Sequence, residues 1–320
     1  MEYKSHFTQI DKTFLSGLVS VREGEVKLGQ VVSTFEQLDS FTGKYVVVGV
    51  REDVGPRANL GLPGAANGFD AFIKRLVNIQ SNRFFSGEDL LLYGVVDFSV
   101  DSDDVTLLRR SVAVLDSLLI EHLVKIYKKG LVPILIGGGH NNAYPLMKAY
   151  QLVTDNNINV INCDPHADFR MLEGRHSGNS FSYAMDQGVL SKYSVLGLHQ
   201  SYNSEEMLLR MEDIGCYFTF FEDYLLGVRD FYSDVDSVFE RYGDESVGVE
   251  LDMDSIIGMP SSAFTPSGIS LEQARGYVVK TQQKKSVVYL HLPEGGPKND
   301  SESALVGKSL VYLVMDFMKA

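Results

Sequence analysis

A chain of 320 residues, 44% of them hydrophobic and 22% charged, can bury a large core, and no stretch approaches the apolar run of about 18 residues that a membrane span requires. The formal net charge of −13 argues against a nucleic-acid partner, because a phosphate-binding surface needs an excess of Lys and Arg. Two cysteines, Cys163 and Cys216, without CxxC spacing make neither a disulfide framework nor a thiolate zinc site.

The opening segment, MEYKSHFTQIDKTF, is mixed in polarity and lacks the basic start and apolar stretch of an export signal, so a cytoplasmic location is expected. Residues 1–40 are expected to form a peripheral extension of a single domain spanning 1–320, since no linker marks a boundary. Short apolar, β-branched runs then recur as KYVVVGV at 44, LLLYGVV at 91, LVPILI at 131, INVINC at 158, YSVLGL at 193, CYFTFF at 216, SVGVELDM at 246 and SVVYLHL at 286. Eight such runs, nearly unbroken in apolar character, suit strands buried on both faces of a parallel sheet. Between them, Leu108, Val112, Leu115, Leu119, Leu123 and Ile126 recur at helical spacing, with Lys128, Lys129 and Gly130 closing the pattern. Further helices are predicted over 143–152, 205–212, 229–241, 270–282 and 303–318. Alternating strands and helices imply a doubly wound α/β sheet, whose ligands sit beyond the carboxyl ends of the strands.

Three of those strand ends carry polar residues in a regular arrangement. IGGGHNN ends a strand in three glycines and His140; INCDPHADFR supplies Asp164, His166 and Asp168; VELDMD supplies Asp252 and Asp254. In extended backbone the i, i+2 spacing points such side chains the same way. Four clustered carboxylates repel by about 4 kcal/mol per close pair at an effective dielectric near 20, so a positive partner is needed. Two divalent ions balance four aspartates, and Asp and His donors without thiolate favour Mn²⁺ or another borderline metal. Such a pair activates water at neutral pH, which points to a binuclear metallohydrolase.

GGGH, DPHAD and DMD together resemble the ureohydrolase family of arginases, agmatinases and formimidoylglutamases, over most of the chain from about Val46 onward. The resemblance implies a three-layer α/β/α fold with an eight-stranded, mainly parallel sheet of the arginase/deacetylase type. It also implies two Mn²⁺, one held by His140, Asp164, Asp168 and Asp252, the other by His166, Asp164, Asp252 and Asp254. Asp168 and His166 are then the expected catalytic residues, with Asp168 relaying a proton to the leaving nitrogen. A small amidine or guanidino compound is the implied substrate, and a homo-oligomer the implied assembly.

Within the family, HADFR resembles the formimidoylglutamase pattern, in which Arg170 suits a substrate carboxylate. Register from Asp168 puts Phe181 where arginases carry a shuttle histidine, and His176 lies five residues earlier. Asn179, Gln200 and Asn203 are further candidate substrate contacts. The guanidinium-binding glutamate of arginases is expected near PSGISLEQARG, at Gln273 or its neighbour Glu272. Arg57, in a Gly- and Pro-rich loop, has two readings: a substrate contact, or a residue that orders its loop. Glu294 is read as a hydrogen-bond acceptor behind the metal ligands. The expected reaction converts N-formimino-L-glutamate and water to L-glutamate and formamide; the alternatives are an arginase- or agmatinase-type hydrolase and a catalytically silent metal-binding protein. Metallophosphoesterases share D-x-H but also need a downstream GNH motif, which does not occur here, and one-zinc deacetylases leave His140 and Asp254 without a purpose.

Overall fold

In the computed structural model, which describes residues 3–284 and 286–319, all eight apolar runs are strands of one sheet. In chain order the strands are β1 (Lys4–Gln9), β2 (Ser33–Thr34), β3 (Tyr45–Arg51), β4 (Leu90–Ser99), β5 (Val132–Ile136), β6 (Ile158–Cys163), β7 (Leu190–Leu198), β8 (Tyr217–Phe220), β9 (Val247–Leu251) and β10 (Val287–Leu292). Their spatial order is β1-β4-β3-β5-β10-β9-β6-β7-β8, with β2 alongside β4. Strands β3 to β10 are mutually parallel throughout.

The sheet thus has ten strands rather than the expected eight, and both additions come from the first 40 residues. β1 runs antiparallel along β4, from Lys4 opposite Ser99 to Gln9 opposite Gly94. It escapes recognition in the sequence because KSHFTQ is a largely exposed edge strand, without the apolar run that marks a strand covered on both faces. Ile10, Leu15, Leu28 and Val32 of the same segment are fully buried, so it contributes to the core.

Strand periodicity divides that core into two layers. Val46, Val48 and Val50 of β3 face one side, while Tyr45 and Val47 face the other. The first side is covered by the helices Val105–Tyr127, Ala143–Thr154 and Ser180–Asp186. The second is covered by Gly68–Leu76, Phe231–Tyr242, Leu271–Gln282 and Asp300–Lys319. The longest helix starts where the Asp104 side chain accepts from Leu107 N at 2.8 Å, and the chain turns away at Gly130 with φ 70. Its buried Leu115, Leu119 and Leu123 each contribute about 1.5–3 kcal/mol of transfer free energy. The helix Gly68–Leu76 is hidden in the sequence because it follows a Gly- and Pro-rich stretch that reads as loop, although Phe69, Phe72, Ile73 and Leu76 have helical spacing. No helix among the described residues is long and apolar enough to cross a membrane.

The order of the central strands positions the polar strand ends. β5, β10, β9 and β6 are consecutive neighbours, so the segments leaving their carboxyl ends meet at one place. Those segments are GGGH, PEGG, DMD and DPHAD.

Candidate metal centre

The turn after β5 is possible only with glycine. Gly137 and Gly138 have φ of 85 and 65, and a side chain on Gly138 would overlap Asn142 and Glu52. Glu52, fully buried at the end of β3, accepts from Gly139 N at 2.6 Å, Asn142 Nδ2 at 2.9 Å and Gly55 N at 2.9 Å. Burial pushes its pKa up, against these hydrogen bonds. From the other side Glu294 Oε1 accepts from His140 N at 2.7 Å. His140 is thereby fixed by its backbone before its ring makes any contact.

The ring nitrogen His140 Nδ1 lies 3.1 Å from Asp164 Oδ2, 2.9 Å from Asp168 Oδ2 and 3.0 Å from Asp252 Oδ2. One imidazole nitrogen carries at most one proton, yet three carboxylate oxygens converge on it, and it makes no hydrogen bond of acceptable geometry. The four donor atoms lie within 4.8 Å of one another, as metal ligands do. Local structure holds each aspartate. Asp164 Oδ1 accepts from His166 N at 2.7 Å and Oδ2 from Asn162 Nδ2 at 3.1 Å, while Asp252 Oδ1 accepts from Asp254 N at 2.7 Å. Asp168 sits in left-handed backbone with φ 46, an unfavourable conformation for a residue with a Cβ.

The second group is looser. His166 Nδ1 is 3.5 Å from Asp164 Oδ1 and 3.8 Å from Asp254 Oδ2, and its ring stacks on Tyr202 at 5.3 Å. Burial and the neighbouring carboxylates push Asp252 well up; burial also raises Asp168 and Asp254. Burial alone would lower His166, but Asp164 and the other aspartates outweigh it and push it up to about 10. Burial likewise opposes ionisation of Asp164, and the two histidines hold it down at about 2.

Above this floor lies a cleft of about 250 Å³ lined by His166, Asp168, Asp252, Asp254, Arg170 and Glu294, among others. Glu294 has φ 68 and a buried, unpartnered Oε2; burial and the nearby Asp254 push its pKa up to about 8. It is the acidic side chain contributed by the β10 end. The PSGISLEQARG segment does not fill that position. Gln273 Oε1 accepts from Ser270 N at 2.9 Å and Gln273 N donates to Ser270 Oγ, a capping box that starts the helix Leu271–Gln282, and Glu272 is exposed. The sequence signal for Glu294 is a charged residue directly after an apolar central strand.

The substrate roles expected of Asn179 and Gln200 do not go with where those side chains sit. Asn179 is fully buried; its amide donates to Gly174 O and Met171 O and accepts from Arg175 Nη1 and His176 N. It holds the loop together, with Arg175 in a buried pair with Asp116 at 2.9 Å. Gln200 is exposed and outside the cleft lining. Asn203 does line the cleft, but its amide is committed to Ala167 N, Pro165 O and His199 O, so it ties the DPHAD loop to the end of β7. Arg57 bonds Val100 O, Ser102 O and Asp103, which orders its loop. Arg170 reaches the cleft mouth, its side chain 54% exposed and paired with Glu173 at 2.9 Å. Phe181 packs edge-on to the His140 ring and stacks on Tyr193, and His176 is engaged with Glu173 and Gly178, so neither supplies a histidine to the cleft.

The description of the arginase family matches residues 43–316. The chain is 24% identical over 317 residues to the formimidoylglutamase of Macrococcus caseolyticus, covering 96% of this chain and 97% of that protein. In structure it is similar to Trypanosoma cruzi formiminoglutamase with two Mn²⁺, with a TM-score of 0.73 at 19% identity over 92% and 99% of the two chains. It is also similar to the proclavaminate amidino hydrolase of Streptomyces clavuligerus, with a TM-score of 0.68 at 17% identity over 87% and 92%. At such identities the structural likenesses are likenesses of fold, but a family match over most of the length identifies the lineage: the chain belongs to the arginase family.

Proposed function

We propose that this protein is a binuclear metallohydrolase that cleaves a C–N bond in a small amidine bearing a carboxylate, with N-formimino-L-glutamate converted to L-glutamate and formamide. The observation that carries the reading is the convergence of three buried aspartate oxygens on the unpartnered Nδ1 of His140, at 2.9–3.1 Å. A donor set of imidazole nitrogen and carboxylate oxygen, without thiolate, fits Mn²⁺. His140, Asp164, Asp168 and Asp252 would hold one ion, and His166, Asp164, Asp252 and Asp254 the other. When bound, the pair supplies a Lewis acid and a nucleophilic oxygen at neutral pH.

The protein's own groups account for the rest. Glu294, when ionised, is placed to pair with the cationic amidine in the cleft. Arg170 at the mouth offers parallel N–H donors to a substrate carboxylate. Asp168, which lines the cleft, is suited to take up a proton at a carboxyl oxygen and deliver it to the departing nitrogen. The reading takes residues 1–320 as one catalytic domain in a homo-oligomer. A cytoplasmic location accords with two unpaired cysteines.

A guanidino substrate is the second reading, favoured by the Arg170–Glu173 pair, which leaves Glu294 as the leading substrate contact and suits a guanidinium equally well. Product release from N-formimino-glutamate, arginine and agmatine by the Mn²⁺-loaded protein separates the two, with Asp164→Ala as the blank. Formamide and glutamate from the first alone support the leading reading. Urea from either of the others replaces it with the second.

A further inference from the structure

A second polar cluster lies directly behind His140 and has no place in the motifs. Glu250, on the central strand β9, is fully buried, and so are His291 and Tyr289 on β10. Parallel register sets His291 opposite Glu250 and Tyr289 opposite Gly248. A side chain at 248 would overlap the Tyr289 ring, so the glycine makes room for the tyrosine to reach the carboxylate. Tyr289 Oη donates to Glu250 Oε1 at 2.7 Å, and His291 Nδ1 lies 2.6 Å from Glu250 Oε2. That same Oε2 is the carboxylate oxygen facing His140 Nε2, at 3.4 Å and short of hydrogen-bond geometry. His140, Glu250 and His291 therefore form a buried group on the side of the imidazole away from the aspartates.

We propose that Glu250, steadied by His291 and Tyr289, is a positioning residue that fixes the tautomer and ring orientation of His140. A neutral imidazole has one N–H and one lone pair. With the proton on Nε2, facing Glu250, the lone pair of Nδ1 faces Asp164, Asp168 and Asp252. With the proton on Nδ1, a nitrogen lone pair would face a carboxylate oxygen, and Nδ1 could not act as a ligand. Phe181 packs edge-on against the ring at 5.3 Å and supports the orientation in which Nδ1 faces the aspartates. A buried carboxylate in a parallel strand is costly unless something uses it, and this arrangement gives Glu250 a use.

The inference rests on the two-metal reading of the site, and its test distinguishes the two. Zn²⁺ is the probe, being diamagnetic: its affinity is measured by chelator competition, and the imidazole tautomers by ¹⁵N NMR of the Zn²⁺-loaded protein. In the unaltered protein His140 is expected to carry its proton on Nε2. Glu250→Gln, whose amide presents an N–H to His140, is expected to weaken Zn²⁺ binding by about 10- to 100-fold and shift the proton toward Nδ1. Tyr289→Phe should give a smaller loss in the same direction, and Glu272→Gln, at an exposed helix position, none. Unchanged affinity in Glu250→Gln overturns the inference and leaves the two-metal reading standing; a proton on Nδ1 in the Zn²⁺-loaded unaltered protein removes His140 from the donor set and overturns both. Failure of the unaltered protein to take up Zn²⁺ overturns both. If Glu250→Gln does not fold, Tyr289→Phe decides the question, and unchanged Zn²⁺ affinity in that variant overturns the inference.

Discussion

The floor and the mouth of the cleft are built on opposite plans. On the floor, His140, Asp164, Asp252 and Asp254 are almost wholly buried, and each is held by backbone hydrogen bonds or by a neighbouring side chain before it meets the others. At the mouth, the backbone of Arg170 is fixed by Gly178 O and Ser182 Oγ, but its guanidinium is more than half exposed and rests on Glu173. Charges brought together in a low-dielectric interior must be held rigidly, because each costs too much to leave unpaired. A substrate anchor has to exchange one partner for another, so it is kept where solvent compensates. In the proposed function, chemistry belongs to the rigid layer and choice of substrate to the exposed one.

Removing a floor ligand should have the largest effect. Asp164→Ala is expected to lose bound metal and to lower turnover by about 10³-fold or more, read by metal analysis alongside product release. A metal-replete, active variant would break the distinction between floor and mouth. Glu294 stands between the two layers. Glu294→Gln should cost about 100-fold in kcat/KM toward a cationic amidine, within the range for losing a charge-assisted contact in a dry site. Its pH dependence has a definite sign. With the carboxyl pushed up to about 8, kcat/KM should fall as pH drops through that value and the group takes up a proton, and this limb should vanish in Glu294→Gln.

Arg170→Ala should raise KM for a carboxylate-bearing substrate by about 10- to 100-fold and leave neutral amidines nearly unaffected. Equal losses on both would move Arg170 from the mouth to the structural scaffold. Asn179→Ala should show the converse pattern. It breaks four hydrogen bonds within the loop, two of them fully buried, so a destabilisation of about 2–3 kcal/mol in denaturant unfolding is expected, with substrate preference unchanged. The smallest change is expected for Gln273→Ala, at most about 1 kcal/mol from the helix cap and none in activity.

The motif residues are legible because their spacing has a direct geometric meaning. Asp164, His166 and Asp168 alternate beyond a buried strand, and three glycines before His140 announce a turn that side chains would block. Asn179 and Gln273 mislead for a common reason: amide side chains serve loops and helix starts as readily as ligands, and nothing in their types or spacing separates the two uses. Glu294 is legible only as support for the ligands. Its place on the cleft wall depends on β10 lying between β5 and β9, although it is last of the ten strands in the chain.

The sequence by itself determined the eight parallel strands, the major helices and the identity of six clustered candidate ligands, because burial on both faces of a strand and period-two spacing are written in residue order. Tertiary structure alone decided that β1 closes an edge of the sheet, that Glu294 faces the cleft while Gln273 caps a helix, and that Glu250 stands behind His140. Each of those outcomes depends on which strands become neighbours. Strand order is fixed by long-range packing between segments far apart in the chain, which local pattern does not encode.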